Sequence, residues 1–182
     1  MVKIDTNTYL IHNVPFYESN NCDKRPIGTK IDTIIIHCIS LPEGEYSNNN
    51  IIDLFQNNLD IKKDKSFELI ADLKVSAHIL IRRNGDIIQF VPLNLRAWHA
   101  GKSEYNNRTK FNDFSIGIEL EGTVSSAFEE KQYLSLIKVI SEIKTCYPKV
   151  TDNNIIGHSM ISPERKNDPG KYFDWKRIKR ED

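Results

Sequence analysis

Histidine side chains that follow predicted strands are the residues of this sequence best suited to chemistry. The chain of 182 residues contains five histidines, His12, His37, His78, His99 and His158. Because a single histidine is more often a hydrogen-bonded structural residue than a metal ligand, position has to distinguish among them. His37 ends a predicted buried strand, and His158 follows a short apolar run and a glycine, so both side chains are expected at the rim of a sheet. These two histidines could share one metal ion.

Asp168 is the carboxylate that could complete such a metal site. Catalytic zinc sites use three histidine or carboxylate ligands and leave a fourth position for water. Asp168 lies ten residues after His158, in the segment GHSMISPERKNDPG, whose prolines allow it to fold back on itself. The sequence NDPG is equally typical of a turn, so an ordinary turn role for Asp168 is the alternative.

Glu119 and Lys166 are the candidates for proton transfer and for stabilising negative charge, which hydrolysis at a metal site requires. Glu119 lies within an otherwise apolar predicted strand, where an unpaired carboxylate is costly. Lys166 lies two residues before Asp168, so in an extended segment both side chains point the same way. The alternatives are a strand-face glutamate paired with a lysine, and an ordinary surface lysine.

Three predicted strand regions must position these residues. The β-branched run Thr33–His37 is typical of a strand buried on both faces, and the residues His78–Val91 form two apolar runs separated by Asn84-Gly85, a strong hairpin signal. Ser115–Gly122 predicts a further strand with two unlike faces. One face carries Ile116, Ile118 and Leu120, and the other carries Gly117, Glu119 and Glu121.

Two helices are predicted between and after these strands. The longer one runs over Phe128–Tyr147, begins with a capping box formed by Ser126 and Glu129, and ends at Pro148. Its apolar stripe consists of Tyr133, Leu136, Ile137, Ile140, Ile143 and Tyr147. A shorter helix is predicted over Asn50–Asn57. Because strands alternate with helices and one strand pair is a hairpin, the expected fold is a single α/β domain with a central mixed β-sheet flanked by helices.

Composition narrows the classes of partner and compartment. The 25 basic residues balance the 25 acidic ones, so no global field draws the chain to nucleic acid or to an anionic membrane, and we expect neither partner. Cys22, Cys38 and Cys146 form an odd, scattered set that does not suggest disulfides or a thiolate zinc site.

With no signal-peptide pattern and no membrane-spanning run, we expect a cytoplasmic monomer. Residues 1–30 are expected to form an irregular lead-in to a domain over residues 31–182.

Three stretches of the sequence together resemble a known family. They are TIIIHCISLPEGEY, VSAHILIRRNGDIIQFVPLNLRAWHAGKSEYNNRTKFNDFSIGIELEGT and GHSMISPERKNDPGKYFDW. In this order they closely resemble the cytoplasmic AmpD branch of the bacterial zinc N-acetylmuramoyl-L-alanine amidases, which cleave 1,6-anhydro-muropeptides in cell-wall recycling. The resemblance extends from Cys22 to Trp175 and also relates the chain to peptidoglycan recognition proteins. It implies a zinc amidase domain over residues 31–182.

The resemblance implies a role for each candidate residue. His37, His158 and Asp168 would be the zinc ligands, Glu119 the general base and Lys166 the residue that stabilises the oxyanion. The segment RAWHAG would line the substrate groove, and Arg165 and Lys74 would bind the carboxylates of the peptide. The groove residues are Ala97, Trp98, which would offer an aromatic face to a sugar ring, and His99, near the opening.

One position departs from the pattern of the family. Asparagine usually follows the first ligand histidine, whereas this chain has Cys38. Strand alternation points Cys38 away from the metal if His37 points toward it, so a thiolate ligand is not expected, although a polar contact with the substrate would be lost.

Two other functions remain open from the sequence: a peptidoglycan-binding module without catalysis, and a phage-type or periplasmic amidase that degrades intact wall.

Overall fold

The computed structural model describes residues 2–179 of the chain. The strands are β1 (Cys22–Lys24), β2 (Thr33–Ile39), β3 (Ile79–Ile81), β4 (Ile87–Gln89), β5 (Leu95–Ala97), β6 (Glu104–Tyr105), β7 (Arg108–Thr109), β8 (Ser115–Glu121) and β9 (Ile155–Gly157). The α-helices are α1 (Asn50–Phe55), α2 (Glu130–Cys146) and α3 (His158–Ile161). Short 3₁₀ turns cover Lys65–Ile70, Phe111–Asp113, Asp152–Asn154 and Trp175–Arg177.

Five of these strands form the central sheet, in the order β4-β3-β8-β2-β9. The pairs β3·β8, β8·β2 and β2·β9 are parallel, whereas β3 and β4 are antiparallel. The turn between β3 and β4 contains Asn84-Gly85, and Gly85 has a φ of +87°, which a glycine adopts without strain. The predicted hairpin and the predicted mixed sheet are therefore both confirmed.

The two faces of the sheet have different partners because side chains alternate along each strand. Ile34 and Ile36 of β2 belong to the cluster that packs against α2, together with Ile116 and Ile118 of β8. The opposite face is covered in part by α1, whose apolar side chains pack around Phe90. His37 lies on this second face, so the candidate chemistry is on the side of the sheet away from α2.

Helix α2 confirms the predicted long helix but differs from the prediction at its start. The capping box consists of Glu129 and Gln132, which exchange side chain to backbone hydrogen bonds, and not of Ser126 and Glu129. The hydroxyl of Ser126 instead lies 2.9 Å from that of Thr123. Ile137, expected on the buried stripe, is 40% exposed, and Val139 is buried in its place. Among the described residues, no helix combines the length and the apolar character needed to cross a bilayer.

Residues 2–30 pack against the rest of the domain through both apolar and polar contacts. Ile4 and Ile11 are buried in the cluster beneath α2, and β1 pairs with β5. Arg25 is half-buried, and its guanidinium donates to the backbone carbonyls of Leu93, Asn112, Asp113 and Ser115. The segment thereby braces the loop that precedes β8.

Candidate metal centre

Three structural elements bring His37, His158 and Asp168 together. His37 lies in β2, which continues two residues beyond the predicted strand end, to Ile39. Gly157 of β9 pairs with Ile36, so His158, the next residue, begins α3 beside His37. The segment 162–168 then folds back, and the Asp168 carbonyl accepts a hydrogen bond from the Ser159 amide at 2.9 Å. The fold thus brings Asp168 back beside His158, which lies ten residues earlier in the chain.

The three side chains direct one atom each toward a common point. His37 Nδ1 lies 3.0 Å from His158 Nδ1 and 3.0 Å from Asp168 Oδ2, and His158 Nδ1 lies 3.1 Å from that same oxygen. All three residues are buried, at 1%, 3% and 8% exposure. Two imidazole nitrogens and one carboxylate oxygen are the donor set of a catalytic zinc site, so these residues fit that ion.

Burial and the contacts among the three residues together set the charges of this cluster in the way that a metal requires. Burial lowers the pKa of His37 to about 4, so its imidazole is neutral near pH 7. Burial alone would raise the pKa of Asp168, but the hydrogen bonds from His158 and His37 outweigh it and bring that pKa well below the usual range. A neutral imidazole and a charged carboxylate are the states that bind a cation.

Glu119 lies next to this cluster on the neighbouring strand. It is the register partner of His37 in the parallel pair of β2 and β8, and register partners point to the same face of a sheet. Within residues 2–179, its buried Oε2 atom has no hydrogen-bond partner. Burial, and then the negative charge of Asp168, raise the pKa of Glu119 well above its usual range, while Lys166 opposes the change. A carboxyl with one unpartnered buried oxygen beside a metal-type cluster is the arrangement expected of a base.

Lys166 contributes positive charge to the same region. The residue is half-buried, and its charge acts on His37, Glu119 and Cys38. The five residues predicted for the reaction therefore lie in one region of the molecule. Cys38, by contrast, packs into the cluster on the α2 side of the sheet, and burial raises the pKa of its thiol.

The residues predicted to contact substrate divide into two groups. Trp98 is half-buried, and Arg165 and Lys74 are exposed, so these three have surface available. Ala97 and His99 differ from the expectation of groove-lining side chains. Ala97 is fully buried in the core cluster around Phe90, and both ring nitrogens of His99 make contacts inside the protein, with His37 and Ser115.

A groove lies at the end of α3, and its described lining does not include the five residues predicted for the reaction. Its volume is about 980 Å³, and it lies between the β6–β7 hairpin and the segment from Ile161 to Arg165. Gly101 at its edge follows Ala100, whose carbonyl accepts hydrogen bonds from His158 Nε2 at 3.1 Å and from the Arg165 guanidinium at 3.1 Å. Gly101, which lines the groove, is therefore the residue next to the Ala100 carbonyl that bonds to His158.

Sequence reasoning missed the residues that form hydrogen bonds with His99 and Ala100, next to the cluster. Ser115 bonds to the His99 ring, and the Asn112 side chain accepts from the amides of both His99 and Ala100, at 3.1 and 2.7 Å. Asn112 is twelve and thirteen residues away from these partners, and no local pattern in the sequence marks such a contact. Their roles follow only from the tertiary structure.

Known proteins resemble this chain over most of its length. The Amidase_2 family profile, described as N-acetylmuramoyl-L-alanine amidase, matches residues 27–171. The 1,6-anhydro-N-acetylmuramyl-L-alanine amidase AmpD of Haemophilus influenzae is 49% identical over 160 residues, which cover 88% of this chain and 87% of that protein. The crystal structure of a selenomethionine AmpD derivative superposes with a TM-score of 0.92 at 44% identity, covering 96% of both chains.

A more distant solved structure contains a ligand. It is the Escherichia coli N-acetylmuramyl-L-alanine amidase AmiD in complex with the substrate anhydro-N-acetylmuramic acid-L-Ala-D-γ-Glu-L-Lys. It is 29% identical, with a TM-score of 0.59, and covers 85% of this chain and 59% of the other. The chain therefore belongs to the Amidase_2 family of N-acetylmuramoyl-L-alanine amidases, in which it is AmpD-like.

Proposed function

We propose that this protein is a zinc-dependent amidase that hydrolyses the amide between the lactyl group of 1,6-anhydro-N-acetylmuramic acid and L-alanine. The substrate would be a soluble muropeptide released during peptidoglycan recycling. The observation that carries the proposal is the buried triangle of His37, His158 and Asp168 atoms, 3.0–3.1 Å apart, with the unpartnered Oε2 atom of Glu119 beside it. The names of the AmpD relatives and the ligand of the AmiD complex support the choice of substrate.

The metal part of the proposal assigns His37, His158 and Asp168 as the zinc ligands. When bound, Zn²⁺ supplies Lewis-acid chemistry, which acidifies water and polarises a carbonyl group. Three protein ligands leave space for the reacting groups, in contrast with the four protein ligands of a structural site. The three donors form a complete set within one chain, so the site needs no partner subunit.

Glu119 is assigned as the general base. It would take the proton of the attacking water and later deliver it to the amine nitrogen of L-alanine as the amide C–N bond breaks. Its raised pKa supports this role, because a carboxyl that holds a proton more tightly is a stronger base and can return the proton to the leaving group. The ammonium of Lys166 would face the negative charge that develops on the carbonyl oxygen.

The contacts with the rest of the substrate are assigned to the exposed residues. Trp98 would present part of its ring to the sugar, and Arg165 and Lys74 would pair with carboxylates of the peptide. Part of the Arg165 guanidinium already donates to the carbonyls of Ala100 and Lys102, which holds the side chain at the edge of the groove. We further place the reaction in the bacterial cytoplasm, which the three free cysteines support.

Mass spectrometry of the products tests the proposal directly. Incubation with anhydro-muropeptide and zinc should release the free peptide and anhydro-N-acetylmuramic acid, and exhaustive chelation should abolish the release. Activity that survives chelation would exclude the zinc mechanism. Binding of the muropeptide without cleavage would instead indicate a recognition module, and preferential release from intact sacculi would indicate a wall-degrading amidase.

A further inference from the structure

The side chain of Arg165 is hydrogen-bonded to the backbone that precedes the β6–β7 hairpin. Its Nη2 atom donates to the carbonyls of Ala100 at 3.1 Å and of Lys102 at 2.9 Å. The same atom donates to the hydroxyl oxygen of Ser162 at 3.1 Å, and that hydroxyl donates to the Lys102 carbonyl at 2.7 Å. These contacts, called the Arg165 bridge below, join the segment after α3 to residues 100–102.

Gly101 gives the guanidinium room to reach both carbonyls. Its φ of +59° turns the chain between Ala100 and Lys102, a conformation that glycine adopts without strain. A Cβ at this position would lie 3.2 Å from Nη2 of Arg165, which is closer than an ordinary van der Waals contact. The backbone of residues 100–102 is therefore shaped to receive the arginine side chain.

The Arg165 bridge lies within the turn that leads to Lys166. The Ser162 carbonyl accepts from the amide of Arg165 at 3.0 Å and from the amide of Lys166 at 2.9 Å. Two residues further on, the Asp168 carbonyl accepts from the Ser159 amide at 2.9 Å. Lys166 is thus held between two anchored points of the backbone, and the bridge is the first of them.

The side chain of Lys166 has no anchor of its own. Within residues 2–179, its ammonium makes no hydrogen bond or ion pair, although its charge acts on His37 and Glu119. The position of the ammonium therefore depends on the backbone that carries this long, flexible side chain. Misplacement of a reacting group by about 1 Å can cost about 10²-fold in rate.

We propose that Arg165 is a positioning residue for Lys166. Its guanidinium, together with the Ser162 hydroxyl, holds residues 162–166 against residues 100–102 and so fixes the place from which the Lys166 ammonium faces the carbonyl oxygen of the substrate. The inference goes beyond the substrate contact proposed for Arg165, and it rests on the function proposed for Lys166.

The separate effects on kcat and KM test the inference. Arg165→Lys keeps the positive charge at the groove but loses the planar guanidinium that reaches both carbonyls. With anhydro-muropeptide as substrate, kcat should fall about 10- to 100-fold, whereas KM should change by less than about threefold. Zinc content should stay at the wild-type level. A raised KM at unchanged kcat would mean that Arg165 only contacts the substrate, and it would overturn the inference.

Ser162→Ala removes the second part of the Arg165 bridge and keeps the test decisive if Arg165→Lys does not fold. Ser162 is only 7% exposed, so a change in its hydroxyl does not alter the substrate-binding surface. The loss of its hydrogen bond should lower kcat about 3- to 10-fold at unchanged KM. Arg108→Lys is the matched control, because the Arg108 guanidinium pairs with Asp32 at 3.0 Å. It should leave kcat and KM near the wild-type values.

A double-mutant cycle shows whether the effect passes through Lys166. Lys166→Met removes the ammonium and should itself lower kcat. If Arg165 acts by placing that ammonium, Arg165→Lys should lower kcat little further in the Lys166→Met background. Losses that multiply in the double variant would mean that Arg165 acts on another group, and they would contradict the inference.

Amide hydrogen exchange tests the Arg165 bridge without any measurement of turnover. The Lys166 amide of the zinc-supplemented protein should exchange about 10-fold faster in Arg165→Lys than in the wild type, and Arg108→Lys should not change its rate. If the wild type cleaves no muropeptide, the proposed function fails, and faster exchange confined to residues 162–166 would still support the bridge. Unchanged exchange of the Lys166 amide in folded Arg165→Lys would overturn the inference in either case.

Discussion

Glu119 of β8 lies directly opposite His37 of β2 in a parallel strand pair, and both side chains point from the same face of the sheet. Their register places an unpartnered carboxyl next to an imidazole that is directed at a second histidine and an aspartate. The reactive geometry of this protein is therefore a property of the strand pairing, and it can be tested one residue at a time.

Glu119→Gln should keep the metal and lose most of the turnover. The amide is nearly isosteric with the carboxyl but cannot accept the proton of water, and general-base catalysis contributes about 10²- to 10⁴-fold. We therefore expect a fall in kcat of that size at unchanged zinc content, measured on anhydro-muropeptide and by elemental analysis.

Glu121→Gln is the control for that variant, because Glu121 lies on the same face of the same strand. Its carboxylate accepts from the amides of Ser47 and Arg83, so the substitution should lower stability and leave turnover near wild type. Undiminished activity in Glu119→Gln would remove Glu119 from the role of base.

The stability of the metal-free protein should depend on pH through Glu119. In the unfolded chain the carboxyl titrates near its ordinary pKa of 4.5, whereas burial and Asp168 raise the pKa in the folded protein. Between these two pKa values the folded state binds more protons than the unfolded state, so stability falls as the pH rises.

The Tm of chelator-treated Glu119→Gln should therefore exceed that of the wild type above about pH 4.5. The difference should grow as the pH rises through the folded pKa and vanish below about pH 4.5. Thermal unfolding of both proteins from about pH 4 to 8 measures it. Two curves that run parallel over this range would mean that Glu119 is not held in its protonated form.

His158→Ala should abolish stoichiometric zinc binding. The substitution removes one of three ligands, and the remaining pair of donors does not complete a catalytic zinc site. Elemental analysis after dialysis against dilute zinc should show about one ion per chain in the wild type and near none in the variant. His12→Ala is the matched control, since His12 is exposed and should keep the metal. Full zinc content in His158→Ala would exclude the proposed ligand set.

Gly117→Ala should weaken both the fold and the metal site. The added Cβ would lie 2.5 Å from the His99 ring, and overpacking of a core typically costs about 1–3 kcal/mol. Urea unfolding should show this loss, and zinc titration should show a raised Kd because the ring behind His37 is displaced.

Gly122→Ala separates the two effects of that substitution. A Cβ at Gly122 would lie 2.7 Å from the Phe128 ring, in the cluster on the α2 side of the sheet. It should therefore lower stability without changing the Kd for zinc. Equal losses of zinc affinity in both variants would mean that the effect comes from general destabilisation.

Much of the fold follows from short-range patterns in the sequence. Asn84-Gly85 predicts the hairpin because few other dipeptides tolerate its backbone angles, and the β-branched run at Thr33–His37 predicts the buried strand. The spacing of Ser126 and Glu129 predicts a capping box there for α2, but the choice between two overlapping boxes depends on where the chain leaves β8. Here Glu129 and Gln132 form the box.

The sequence by itself determined the α/β fold class and the AmpD-like family, because these follow from local patterns and from long stretches in a fixed order. It predicted metal-assisted hydrolysis from two histidines at strand ends with an aspartate, a glutamate and a lysine. The sequence also selected His37 and His158 as the candidate metal ligands, and only the tertiary structure decided the place of His99. His99 is adjacent in sequence to Trp98, yet its ring lies behind His37, because strand register, the space left by Gly117 and the contacts of Ser115 are long-range relationships. Long-range contacts of this kind leave no periodic pattern in the sequence.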